Sequence, residues 1–292
     1  MQTLNIIGAG RLGQSIGRLA AQAGYRIGSV YCRSQASAQA ACDFIGQGAP
    51  LASLHDVQPA LLTLLAVPDG QIAPVAAMLA DSGRVAAGQV VFHASGACEA
   101  ALLAPLAARG AYCASLHPAF SFAEPARAVA SFAGTRCALE GDERTFASLQ
   151  DLALAIGGQP FLLAPGGKLA YHAALAVASN YLVTLHALAQ QLASRAGIGA
   201  QDAHVLLGEL MQKTLANSLA LGPTSALTGP IARGDADTVR RHRAVMSPPQ
   251  DVLYCALGTA TLSLAAGRLD EAQQAAVAIA LREGGFGVGQ GE

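Results

Sequence analysis

Thr3-Leu-Asn-Ile-Ile7 runs directly into Gly8-Ala-Gly10-Arg-Leu-Gly13, and an alanine-rich stretch over residues 14–23 follows. A short apolar strand, a GxGxxG turn and a helix stand here in the order that a dinucleotide-binding unit needs. Gly8 permits the tight turn out of the strand. Gly10 lets backbone approach a pyrophosphate with no Cβ in the way, and Gly13 lets the helix pack closely on the sheet. Ala9, Arg11 and Leu12 complete the loop. The free N–H groups and the positive dipole end of the helix are then available to phosphates.

About twenty residues on, the tip of the second strand tests which dinucleotide is expected. That strand spans residues 25–32. A site preferring NAD carries Asp or Glu at this tip, to bond the ribose 2′-OH. Here the tip is Arg33-Ser34, with no carboxylate before Asp43. A guanidinium and a hydroxyl suit a 2′-phosphate, which arginine binds bidentately. The expected cofactor is NADP(H).

The 292 residues are 52% hydrophobic and only 13% charged, against about 25% in an average soluble protein. So little charge predicts a large buried subunit interface, and hence a homodimer. The net charge of −1 gives no reason to expect a nucleic-acid or membrane-surface partner. Six scattered cysteines without a CxxC pair read as reduced thiols of a cytoplasmic protein. Met1-Gln2 leads straight into the first strand, so no signal peptide is expected. Residues 169–194 lack Asp, Glu, Lys and Arg and are long enough to span a bilayer. Their alanines, and polar residues such as His172, Asn180 and Gln190, suit burial against protein better than lipid.

Strand and helix signals alternate through the first half. Helices are expected over residues 35–45, 72–79 and 99–109. Strands are expected over 60–67, 89–94 and 112–116. Such repeated βα units predict an α/β Rossmann domain with a doubly wound, mostly parallel sheet. Ligands of such sheets sit at the carboxyl ends of the strands. Ala66-Val67-Pro68, Ser95-Gly96 and His117-Pro118 fall at such ends and are expected to rim the cleft. Two more strands, 135–140 and 159–163, flank a helix over 143–156. Ala164-Pro-Gly-Gly167 is a hinge candidate. Beyond it everything reads as helical: a long helix over 168–196, then 201–221, a loop over 222–235, and helices over 237–246 and 252–266. The expected domains are therefore 1–165, dinucleotide-binding, and 166–292, an all-α substrate and dimerisation domain. The glycine-rich residues 284–292 are expected to fray.

A Rossmann domain entered into an all-α domain through one long helix resembles the 6-phosphogluconate and β-hydroxyacid dehydrogenase superfamily. Three segments, Ser115-Leu-His-Pro-Ala-Phe-Ser-Phe122, Tyr171-His-Ala-Ala-Leu-Ala-Val-Ala-Ser-Asn180 and Leu227-Thr-Gly-Pro-Ile-Ala-Arg-Gly-Asp235, are similar to a narrower family. It is the Rossmann-like family whose C-terminal half is a domain of unknown function, number 2520. The resemblance covers nearly the whole chain. It implies an NADP-type oxidoreductase of unassigned chemistry, dimeric through its helical half. Hydroxyacid dehydrogenases carry Lys and Asn four residues apart near the start of the long helix. Here Lys168 is followed four residues on by His172, and Asn180 comes later. Either His172 takes over the acid/base role or that chemistry does not carry over.

By the 3.6-residue period, Lys168, His172 and Ser179 lie within about 40° of one another on a helix, with Asn180 beside them. Hydride transfer at a carbonyl carbon needs a proton for the oxygen and donors for the developing alkoxide. His172 or Lys168 is the expected proton donor, with Ser179 and Asn180 orienting the oxygen. The alternative is a set of buried polar groups bonding between helices, with Lys168 merely opening one. His117, at a strand end before proline, suits substrate contact. His93, inside an apolar strand, reads as a core histidine. Thr228 and Arg233 lie on a glycine-containing loop, where Arg233 could hold a substrate carboxylate or simply pair with Asp235. No His, Cys and carboxylate set has metal-ligand spacing. The leading expectation is an NADP(H)-dependent oxidoreductase of a small polar carbonyl, hydroxy acid or imine. The rivals are a non-catalytic dinucleotide-binding sensor or scaffold and a deazaflavin-dependent NADP reductase.

Overall fold

A computed structural model describes residues 2–283. The tail over 284–292, for which fraying is expected, lies outside the described residues. Contacts divide the chain into one compact unit ending at Ala178 and another beginning at Ser179.

In the first unit β1 (Thr3–Ile7), α1 (Arg11–Gln22), β2 (Arg26–Tyr31), α2 (Gln35–Ile45), β3 (Ala49–Leu51), β4 (Leu62–Leu65), α3 (Asp69–Asp81) and β5 (Val90–His93) follow one another. Then come α4 (Ala104–Ala107), β6 (Tyr112–Pro118), α5 (Pro125–Ser131), β7 (Arg136–Gly141), α6 (Phe146–Ala155), β8 (Gln159–Leu162) and α7 (Lys168–Ala176). The strands form one sheet in the order β3-β2-β1-β4-β5-β6-β7-β8. All pairs are parallel except β6 with β7. Strand order reverses between β1 and β4, which opens a crevice at their carboxyl ends.

The alternation of side chains along the strands builds the three layers. Leu4, Ile6, Leu62, Leu64, Val90 and Phe92 join one core with residues of α1, α2 and α6. Ile7, Leu65 and Val91 join the other with residues of α3. Both faces are covered, so the strands read as nearly continuous apolar runs. Asn5 and Thr63 interrupt them. Asn5 Oδ1 accepts from Ser29 N at 2.8 Å, and its Nδ2 donates to Gln58 O at 2.6 Å.

Several elements differ from their expected bounds. The helix expected over 99–109 is a 3₁₀ turn, Ala100–Leu103, followed by α4. Pro105 lacks the N–H that one continuous helix would need there. Residues 143–145 likewise form a 3₁₀ turn before α6. The strand expected to stop at 116 continues through Pro118, because β7 pairs His117 with Ala138. The single helix expected over 168–196 is α7, then a π turn, Val177–Tyr181, then α8 (Leu182–Arg195). The wider i→i+5 turn ends the 3.6-residue period on which the stripe from Lys168 to Ser179 depends.

In the second unit, α9 (Ala200–Leu221), α10 (Pro223–Ala226), α11 (Ala236–Ala244), α12 (Pro248–Ala265) and α13 (Glu271–Arg282) follow α8. α13 is opened by a capping box between Asp270 and Gln273. A small core joins Ile231, Val239, Val277 and Leu281. Arg243 is buried against Asp251, donating Nε to Oδ1 at 2.7 Å and Nη2 to Oδ2 at 2.8 Å, while its Nη1 reaches Ala280 O at 2.6 Å. By length and hydropathy residues 168–195 could cross a membrane, yet the most apolar 18-residue stretch within them is not buried in this chain. The expectation that it packs on protein is not met by the chain's own residues. Leu206, Leu210 and Leu219 of α9 are likewise more than half exposed.

Candidate active site

The glycine loop leaves β1 through Gly8, whose φ of +91° lies in the region that favours glycine. A Cβ there would also stand 2.6 Å from Val67 Cγ1 and 2.9 Å from Ala66 O. At Gly13 it would stand 2.5 Å from Gly8 O, whereas at Gly10 it would meet nothing within 4 Å. Gly8 and Gly13 therefore serve the protein's own packing, and Gly10 leaves space open on the solvent side. Gly10 caps α1 without a side-chain hydrogen bond, so the first-turn N–H groups stay available to an anion. Gln14 Nε2 fastens the loop by donating to Ala9 O at 3.0 Å.

The loop borders a cavity of about 720 Å³. Of the residues expected at the cofactor, Gly8, Ala9, Gly10, Arg33, Ala66, Val67 and Pro68 line it. Arg11, Leu12, Gly13, Ser34 and Ser95 do not. Leu12 packs on the core. Ser34 caps α2, its Oγ accepting from Ser37 N at 3.2 Å. Ser95 Oγ accepts from Ala97 N and Cys98 N, shaping the turn after β5. Arg33 is exposed at the cavity edge and makes no ion pair among the described residues.

A second group of side chains gathers where β5, β6, β7 and the start of α7 meet. Lys168 is 1% exposed. Its ammonium donates to Ser115 Oγ and lies 3.5 Å from Glu140 Oε1, an oxygen that also accepts from Ala100 N at 2.7 Å. Lys168 does more than open a helix: it ties α7 to β6 and β7. His117 Nδ1 is 2.9 Å from Tyr171 Oη. The rings of His117 and His172 are 6.4 Å apart. Gly96 is buried between those two histidines. A Cβ on it would stand 2.7 Å from His172 Nδ1 and 2.9 Å from His117 Nε2. His93 is fully buried: Nδ1 accepts from Ser95 N at 3.2 Å, so Nε2 carries the proton toward Glu99 O at 3.1 Å. It is the satisfied core histidine its strand position predicts.

Burial sets the charge states. Burial, then the Lys168 charge, pushes His93 down to about 4. The same two causes, with His172 adding to them, push His117 down to about 4. Both imidazoles are neutral at physiological pH. Burial also lowers the Lys168 ammonium, and Glu140 opposes that shift. Burial pushes Tyr171 up to about 12, so it remains a phenol. The cluster can supply hydrogen-bond donors of fixed charge, and the exposed His172 opens toward solvent.

The structure thus gathers Lys168, His117 and His172 in one unit. Ser179 and Asn180 fall in the π turn and belong to the second unit, both exposed. Thr228 and Arg233 are exposed there too, and Arg233 makes no ion pair with Asp235. Asp235 instead caps α11 through Thr238 N at 3.0 Å. Sequence reasoning placed Gly96 at the rim of the cleft but gave it no role, and it missed Ser115, Glu140 and Tyr171. Ser115 could have been found, because it shares a strand face with His117 at spacing two. Glu140 carries no such signal.

Residues 2–118 match the Rossmann-like domain family, and residues 135–261 match the family described as Domain of unknown function (DUF2520). No curated protein matches the chain. Among solved structures, protein TM1727 from Thermotoga maritima is 27% identical with a TM-score of 0.69, over 91% of this chain and 99% of that one. The imine reductase of Aspergillus terreus in complex with NADPH4 and dibenz[c,e]azepine is 17% identical with a TM-score of 0.66, covering 94% of this chain and 98% of its own. The reductive aminase of the same organism in complex with NADPH and ethyl levulinate is 18% identical with a TM-score of 0.63, covering 95% and 98%. These two share the fold.

Proposed function

We propose that this chain, which carries the Rossmann-like and DUF2520 domains, is an NADP(H)-dependent oxidoreductase of a small polar carbonyl or imine. One observation carries the reading: an open phosphate cradle at Gly10, with Arg33, which makes no ion pair among the described residues, at the rim of the same cavity. The Gly10 backbone and the N-terminus of α1 would hold the pyrophosphate, and Arg33 the 2′-phosphate. The cofactor supplies or accepts the hydride. The two Aspergillus enzymes of this fold, a reductive aminase and an imine reductase, support reduction as the direction.

On this reading His172 donates the proton that the reduced heteroatom needs. It is the exposed imidazole of the cluster, open to solvent, whereas Lys168 is buried and already bonded to Ser115 and Glu140. NADPH oxidation, followed by absorbance against a panel of 2-oxo acids, aldehydes and cyclic imines, tests the reading. Binding of NADPH without turnover of any member would remove the reductase assignment. We also place the protein in the cytoplasm, as a homodimer. The exposed leucines of α8 and α9 and the scarcity of charge support a second copy as their cover, since obligate interfaces are large and apolar. Light scattering at micromolar concentration should report twice the chain mass; a monomer would contradict it.

A further inference from the structure

Two ring nitrogens converge on the space above Gly96, and the chemistry of one of them is fixed from behind. A neutral imidazole has one N–H and one bare nitrogen, and a phenol can donate or accept. Between the two, the phenol O–H is the stronger acid and the imidazole nitrogen the stronger base. The 2.9 Å bond therefore runs from Tyr171 Oη–H to His117 Nδ1, and the ring proton sits on Nε2. Nε2 is the nitrogen that faces Gly96.

We propose that Tyr171 and Gly96 are positioning residues that present His117 as a fixed Nε2–H donor to the carbonyl oxygen or imine nitrogen of the substrate. Tyr171 selects the tautomer. Gly96, by lacking a side chain, lets His117 Nε2 and His172 Nδ1 reach one point. The inference rests on the reductase reading and divides the labour of the two histidines. His117 polarises the acceptor and keeps its proton, while His172 exchanges one. The groups facing His117 are Lys168, His172, Asp69 and His93, besides Tyr171. Lys168 and His172 oppose a second proton on the ring, so His117 stays a neutral donor rather than becoming an imidazolium. The edge contacts of Tyr171 with His117 and with Phe161, at centroid separations of 5.6 and 6.0 Å, hold the phenol in place.

Nitrogen-15 spectra of the labelled full chain read the histidine tautomers directly. His117 should appear as the neutral Nε2–H form at pH 6–8. In Tyr171→Phe it should become a mixture of both tautomers, while His93, fixed by Ser95 N, keeps its own pattern. With a substrate found in the panel above, Tyr171→Phe should lower kcat/KM about tenfold, the size of one hydrogen bond, at unchanged NADPH affinity. Gly96→Ala should shift both histidine signals and lower turnover by at least as much, again with NADPH affinity kept. A native His117 that carries its proton on Nδ1, or that titrates near an ordinary imidazole value, overturns the proposal even if the protein proves to be a reductase. Unchanged kcat/KM in both variants overturns it as well. If no panel member is reduced while the tautomer is as expected, the reductase reading fails and the substrate role of His117 falls with it.

Discussion

The glycine crevice and the histidine–lysine cluster lie at carboxyl ends of strands of the same sheet, but they are built in opposite ways. The crevice is mostly backbone. Gly8, Gly10, Gly13 and the first turn of α1 are within a few residues of one another, so their geometry follows from local chain conformation. The cluster is made of side chains brought from far apart: Lys168 reaches Ser115 across 53 residues and His117 reaches Tyr171 across 54. The crevice offers dipoles that do not titrate. The cluster offers imidazoles and an ammonium whose charge states depend on burial. A phosphate site can thus be specified by a short motif, whereas an acid/base site needs the assembled core.

The largest expected effect separates the two regions by activity. His172→Ala should lower turnover by about 10²–10⁴-fold, the range of general acid catalysis, with NADPH affinity nearly intact. His172→Gln should be almost as damaging, because an amide bonds but delivers no proton. Turnover per folded molecule preserved in both variants, with a lowered melting point, would return His172 to a structural role.

Acid should find the cluster and spare the crevice. His93 and His117 take up a proton near 6.5 when unfolded but only near 4 when folded. Between these values the unfolded chain binds more protons, so stability falls as pH falls. It is complete above about 6.5 and lost progressively toward 4, by about 3 kcal/mol for each histidine. Urea midpoints measured from pH 7 to 4 check this. A flat profile would mean that solvent already reaches the cluster.

Within the crevice, Gly13→Ala and Gly10→Ala should part company. A methyl at Gly13 meets backbone at 2.5 Å, and overpacking of this kind costs about 1–3 kcal/mol of stability. A methyl at Gly10 meets nothing, so the melting point should hold while NADPH affinity drops about tenfold or more, a gap of about 1.4 kcal/mol. Equal melting points for the two variants would break the division between packing and ligand-facing glycines. The smallest effect belongs to Arg33. Arg33→Ala should erase most of a tenfold preference for NADPH over NADH, about 1.4 kcal/mol, and leave NADH binding nearly unchanged in direct titrations.

The sequence by itself determined the βα order, the doubly wound sheet, the glycine loop and the arginine at the tip of β2. Each depends on periodicity or on residues adjacent in the chain. It also pointed to His117, Lys168 and His172 as residue types worth following. Only the tertiary structure decided what they do together. Lys168 turned out to be buried against Ser115 and Glu140 because β6 and β7 pair antiparallel and carry both residues to the start of α7. The π turn at Val177–Tyr181 ended the helical period that seemed to align Ser179 and Asn180 with Lys168. Such a turn depends on one extra residue in the hydrogen-bond ladder, which no apolar pattern records. In the sequence Gly96 is legible only as a strand-end residue at the rim of the cleft. It became part of the cluster only when the β5–β6 pairing brought His117 and the docking of α7 brought His172 to the place its missing side chain leaves open, a contact that backbone preference cannot encode.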